Sequence, residues 1–181
     1  MKKYLILFIA LISFTLATAQ TSETKTKPII DNYGKVYDVD KPDLLLKTTT
    51  KYHVIFDIYT DKSKKDGVNP LLNTVARYLN MHGQQGVLIE NMSVVVIMHG
   101  AATKNVLNDE AHLKKYKINN PNSKLIQELT NSNVKIYVCG QSFIASGFNK
   151  GEKSSDVKLA LSALTALVHY QSEGYQLINF N

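Results

Sequence analysis

The sequence predicts an α/β protein: a three-layer, mainly parallel five-stranded sheet with helices on both faces. Three observations predict it. Runs rich in β-branched and aromatic residues alternate, from Tyr52 onward, with segments whose apolar residues recur at helical spacing. One run, Met92-Ser93-Val94-Val95-Val96-Ile97-Met98, is almost continuously apolar, the pattern of a strand buried on both sides. Strands joined through helices require right-handed crossovers, which lay the strands parallel.

The first strand is read over Tyr52 to Tyr59. A polar loop, Thr60 to Gly67, follows it, and Leu71, Leu72, Val75, Tyr78 and Leu79 then recur on one face of a helix that ends near Gly83 and Gly86. The second strand, Met92 to Met98, runs into His99-Gly100 and a helix expected from about Ala102 to Tyr116, with Val106 and Leu113 among its apolar positions. After the Asn119-Asn120-Pro121-Asn122 loop, Leu125, Ile126 and Leu129 mark another helix. The third strand, Val134 to Val138, ends in Cys139-Gly140-Gln141-Ser142, where a short helix over Ser142 to Ser146 is expected. The apolar segment Val157 to Ser172 reads mainly as helix, with Leu161, Leu164 and Val168 on one face and a short strand at its start. Gly174 stops it, and Tyr175 to Phe180 alternates as a last strand.

Upstream of the sheet, Met1-Lys2-Lys3, the apolar run Tyr4 to Leu16 and Ala17-Thr18-Ala19 form a basic head, an apolar core and a small-x-small cleavage site. Residues 1–19 are therefore expected to be a cleaved signal peptide and the protein to be periplasmic or secreted. The run is shorter than the roughly 20 residues of a permanent anchor, so no such anchor is expected. Residues 20–50 divide into a polar leader, Gln20 to Lys27, and an extended arm in which Pro28 to Tyr37 surround an Asn-Tyr-Gly turn signal and suggest a hairpin lying on the domain. The domain itself spans 51–181.

Loss of Lys2 and Lys3 with the leader lowers the formal charge of +6 by two. The remaining lysines are scattered, without a basic block or an aromatic stacking platform, so nucleic acid is disfavoured as a partner. His53, His82, His112 and His169 show no metal-ligand spacing with one another or with Cys139. Nucleotide-binding glycine motifs and the Gly-x-Ser-x-Gly elbow are absent from the sequence. No metal or organic cofactor is expected.

Two residues stand where parallel sheets collect chemistry, beyond the carboxyl ends of strands: His99 and Cys139. Cys139 is the single cysteine, so it forms no disulfide within its chain and is either buried and inert or a free reactive thiol. A thiol at the start of a helix meets unpaired N–H groups that favour its thiolate. His99 either supports that thiolate or closes the strand–helix turn. Asp57, in the first strand, reads as structural.

Val94 to Gly100, the Asn120-Pro121-Asn122 loop, Val134 to Ser142, and Ala160 to Leu167 closing in Gly174-Tyr175 together resemble the DsrE-like (DsrE/DsrF) family, over about residues 51 to 181. The resemblance implies a parallel α/β sheet, a homo-oligomer, and a sulfurtransferase or sulfur carrier that holds sulfane sulfur as a persulfide on Cys139. It implies donor and acceptor thiols as partners. Many sulfur-relay members follow this cysteine with an Arg-Gly pair, and here the pair is Ser146-Gly147. The candidate site is thus Cys139 and His99 for chemistry, with Gly140, Gln141, Ser142, Gly100 and Asn120 as binding residues. The alternatives are a non-catalytic module for a small ligand or protein, and a structural homo-oligomer.

Overall fold

The computed structural model describes residues 27–64 and 67–180. The segment expected to be a signal peptide and most of the polar leader lie outside them. Five parallel strands form one sheet: β1 (Tyr52–Ile58), β2 (Met92–Met98), β3 (Lys135–Cys139), β4 (Lys158–Ala160) and β5 (Gln176–Asn179), in the order β4-β3-β2-β1-β5. Five helices connect and cover it: α1 (Pro70–Gln84), α2 (Asp109–Tyr116), α3 (Ser123–Asn131), α4 (Gly140–Ala145) and α5 (Ala163–Ser172). Among the described residues no helix is long and apolar enough to cross a membrane.

The sheet divides the interior into two unequal cores. Val54, Phe56, Val94, Val96, Met98, Ile136 and Val138 point to one side, where Leu72, Val75, Ala76 and Leu79 of α1, Ala111 of α2, Leu125, Ile126 and Leu129 of α3 and Phe143 of α4 bury them. The alternate residues Ile55, Val95, Ile97 and Cys139 point to the other, where α5 alone covers them through Ala163, Ala166, Leu167 and Tyr170. Helices therefore lie on both faces, four against one.

Local chemistry sets the helix starts. Asn69 caps α1, its carboxamide oxygen accepting from Leu71 N at 2.9 Å with Pro70 in the first turn. Ser162 caps α5 in the same way through Thr165 N. The helix expected over Ala102 to Tyr116 is broken: Gly100–Val106 is a 3-10 helix, and α2 begins only after Asn108 caps it. The cause is tertiary. The chain at 107–108 turns outward to pair with the distant segment 152–154, Leu107 bridging Lys153 and Asn108 N donating to Glu152 O at 2.8 Å. Leu113, expected on the apolar face, is exposed. The helix after Cys139 starts at Gly140, two residues earlier than expected.

The arm does lie on the domain, but not as a hairpin. Asn80 of α1 takes the backbone groups that strand pairing would use: Ile30 N donates to its Oδ1 at 2.8 Å, and its Nδ2 donates to the carbonyls of Ile30, Tyr33 and Gly34. Ile30 inserts into the larger core. Gly34 has φ of +67°, and a Cβ there would meet Arg77 N at 2.3 Å, so only glycine allows this close approach to α1.

The last helix holds a further correction. The stretch Val157 to Ser172 is helical only from Ala163, after β4 and the capping Ser162, so Leu161 precedes the helix, and it and the helix residues Leu164 and Val168 look outward, with exposures of 73%, 78% and 67%.

Candidate active site at the carboxyl rim of the sheet

Cys139 ends β3 and is also the residue that caps α4. Its Sγ accepts from Ser142 N at 3.4 Å. The alternation that puts Cys139 on the α5 side also brings it to the first turn of that helix, so the N–H of Ala163 reaches the sulfur together with those of Gln141 and Ser142 and the Ser142 hydroxyl. Two helix starts thus converge on one thiol. Burial raises the pKa of Cys139, but these donors outweigh it and hold the thiol below its ordinary value. Cys139 is nearly covered, with 4% of the residue exposed, so a reacting partner has to approach along the rim.

The neighbouring glycines serve geometry. Gly140 carries no Cβ because one would meet Ala160 O at 2.7 Å, and its absence lets α4 begin hard against β4. Gly100 has φ of +54°, and a Cβ there would strike the Tyr59 ring at 2.3 Å. This turn places Gly100 N 3.3 Å from Ser142 Oγ, to which it donates. Ser142 is accordingly a bridge: its hydroxyl accepts from the end of β2 and donates to the sulfur at the end of β3. Gln141 contributes its backbone N–H while its side chain is exposed.

His99 lies one residue beyond the paired Met98 of β2, as Cys139 lies one beyond Val138, its partner in register. The two therefore occupy adjacent strand ends on the same side of the sheet, with strands about 4.8 Å apart. His99 Nε2 is 2.6 Å from Asp57 Oδ1, and Asn179 Nδ2 donates to the second oxygen of Asp57 at 3.0 Å. Tyr59 packs edge-on against the imidazole, ring centroids 5.1 Å apart. Asp57, which reads from the sequence as structural, thus joins the rim cluster, and so does Asn179, which no sequence motif singles out. The signal available was alternation: Asp57 follows buried Ile55 by two positions and so shares its face.

Asn120 is placed apart from this rim cluster. Its Nδ2 donates to the carbonyls of Asn105 and Leu107 and its Oδ1 accepts from Asn122, within a buried amide network that also holds Asn69. Its side-chain groups are engaged in this network, which fixes the segments that follow β1 and β2. Among the described residues no group of three or more His, Cys, Asp or Glu side chains is arranged to hold a metal.

The fold and rim define a class: a parallel α/β protein with a cysteine at a strand end, facing helix N-termini. A family model, the DsrE/DsrF-like family, matches residues 53–180, and the chain belongs to that family. Two solved structures are similar. A protein of unknown function, MTH1491 from Methanobacterium thermoautotrophicum, is 22% identical, with a TM-score of 0.55 over 71% of this chain and 99% of its own. The ychN protein from E. coli is 16% identical, with a TM-score of 0.48 over the same shares. The likeness to MTH1491 is one of fold. No functionally curated protein matches.

Proposed function

We propose that this protein is a sulfur carrier or sulfurtransferase that takes up sulfane sulfur as a persulfide on Cys139 and passes it to an acceptor thiol. The observation that carries this reading is the set of donors on Sγ, the N–H groups of Gln141, Ser142 and Ala163 with the Ser142 hydroxyl, which lower the pKa of a thiol that burial alone would raise. A thiolate is the form that attacks a sulfur donor, and the same donors stabilise it as leaving group when sulfur moves on. They supply what the missing arginine of Ser146-Gly147 would contribute, by oriented N–H dipoles instead of a formal charge. The chemistry requires no metal or organic cofactor. Its partners are a sulfur donor and a thiol acceptor, and the leader of residues 1–19 supports a periplasmic or secreted setting for both.

Intact mass tests the proposal. Mature wild type incubated with polysulfide gains one sulfur, releases it to a second thiol, and the Cys139→Ser variant gains none. Absence of any gain in wild type, with the thiol inert to alkylation, sinks the carrier reading.

A homo-oligomer is supported by a separate observation. Leu164 and Val168 of α5, the helix that covers the thinner core, and Leu161 just before it are exposed apolar side chains, and exposed apolar patches mark association surfaces. Light scattering of the mature protein measures the assembly, and a strictly monomeric mass would overturn it.

A further inference from the structure

The rim carries a hydrogen-bonded row that crosses three strands and ends one strand short of the thiol. In the sheet order β3-β2-β1-β5, Cys139, His99, Asp57 and Asn179 follow one another strand by strand. All four face the α5 side: Asp57 alternates with Ile55, His99 with Ile97, Cys139 with Tyr137, and Asn179 is the registered partner of Asp57. Asn179 donates to one carboxylate oxygen of Asp57 and His99 meets the other. A carboxylate has no proton to give, so the short contact requires the hydrogen on His99 Nε2. That fixes the imidazole tautomer and leaves Nδ1 as the base. Tyr59 holds the ring from the side, and the backbone of the residue after His99 is tied through Ser142 to the sulfur.

We infer that Asp57 and Asn179 are positioning residues that make His99 the proton acceptor for reactions at Cys139. In the sulfur-transfer step, which rests on the carrier reading above, the acceptor thiol RSH gives its proton to His99 Nδ1. The RS⁻ lone pair attacks the outer sulfur of Cys139–S–SH, the S–S pair leaves on Sγ, and the products are RS–SH, the Cys139 thiolate and imidazolium. No oxidant or reductant is consumed. The carboxylate of Asp57 stabilises the imidazolium, as the N–H groups of α4 and α5 stabilise the thiolate, and the two charges form side by side on adjacent strands.

Other ionisable groups on the neighbouring elements frame any pH dependence. Beside His99 these are Asp57, Tyr59 and Cys139. Lys62 donates to Phe180 O, next to Asn179, and Lys158 of β4 is registered with Tyr137. From α5 the ionisable groups are His169 and Tyr170 in its C-terminal half, and Glu173 follows its end.

The pH–rate profile of Cys139 alkylation by iodoacetamide tests the inference without reference to sulfur transfer. Wild type shows two inflections, one from the thiol and one from His99. His99→Gln removes the second; Asp57→Asn shifts the second to lower pH and slows persulfide transfer to a small thiol by roughly tenfold or more; Asp57→Glu recovers part of that loss. An Asp57→Asn protein with native circular dichroism and a profile superimposable on wild type overturns the inference. Should the covered sulfur resist alkylation, NMR titration of the His99 ring in wild type and in Cys139→Ser gives the same decision: a displaced midpoint supports coupling, and identical midpoints overturn it. A wild type that couples His99 to Cys139 yet takes up no sulfur defeats the carrier reading and leaves the dyad standing. One that carries sulfur with an uncoupled His99 does the reverse.

Discussion

The two sides of the sheet are built to different standards. On one, four helices and the arm close over a core whose larger side chains, from Leu72 to Phe143, are almost fully buried. On the other, a single ten-residue helix covers Ile55, Val95 and Ile97, and its outer face leaves Leu164 and Val168 exposed. The thiol, the imidazole and the carboxylate all lie on the thinner side. A packed core tolerates few polar groups without full pairing, whereas a lightly covered face leaves room at its rim for groups that must change protonation. The difference suggests that the thick side sustains the fold and the thin side serves the chemistry and the contacts with other molecules.

The largest expected effect breaks the thick side. Leu125→Ala removes a fully buried side chain and should lower unfolding free energy by about 3 kcal/mol in a urea titration, while Leu164→Ala on the outer face of α5 should change the monomer's stability by less than about 0.5 kcal/mol. Equal losses at the two positions would mean that the faces are not unequal as described.

Next is the arm. Asn80→Ala leaves the Ile30, Tyr33 and Gly34 backbone groups without their partner, at a cost of about 2 kcal/mol, and limited proteolysis should then cut within 28–46 while the sheet stays intact.

On the thin side, Ser142→Ala removes the hydroxyl from Sγ and should raise the thiol pKa, followed by thiolate absorbance against pH. Asp61 supplies a smaller effect. Burial raises its pKa, but Lys104 at 2.7 Å and Ser63 hold it below the ordinary carboxylate value. A depressed folded-state pKa means stability that is complete above the unfolded pKa and lost as pH falls through the folded one. Asp61→Asn should therefore cost about 1 kcal/mol at neutral pH and nothing at a pH below both values, as thermal melts across that range would show. The smallest effect on folding, and the sharpest on association, belongs to the pair Leu164→Lys and Val168→Lys: melting temperature nearly unchanged, mass by light scattering reduced.

How much of this was legible varies by the range of the interactions that decide it. β2 could be read to the residue because a strand buried on both sides is apolar throughout. The break between Val106 and Asp109 could not, since it depends on a bridge to Lys153 more than forty positions away. Leu164 and Val168 do share a face of α5, whereas Leu161 falls before its cap, and periodicity says which residues share a face and not whether anything covers it. Cys139 and His99 stood out at strand ends. The third N–H on the sulfur, from Ala163, belongs to the backbone of a helix whose start near the thiol no local motif encodes, and Asn179 reaches Asp57 only through the pairing of β5 with β1.

That pairing also bears on when the site comes into being. β1 is flanked by β2 and by β5, and the bond from Asn179 to Asp57 closes a separation of 122 residues. Contacts so distant along the chain form late, after the entropy of closing the intervening loop has been met. During synthesis β1 and β2 emerge and can pair long before β5 exists, so the contact between His99 and Asp57 can form early, while the bond from Asn179 to Asp57 waits for the last strand. The row along the rim is therefore completed only when β5 joins the sheet.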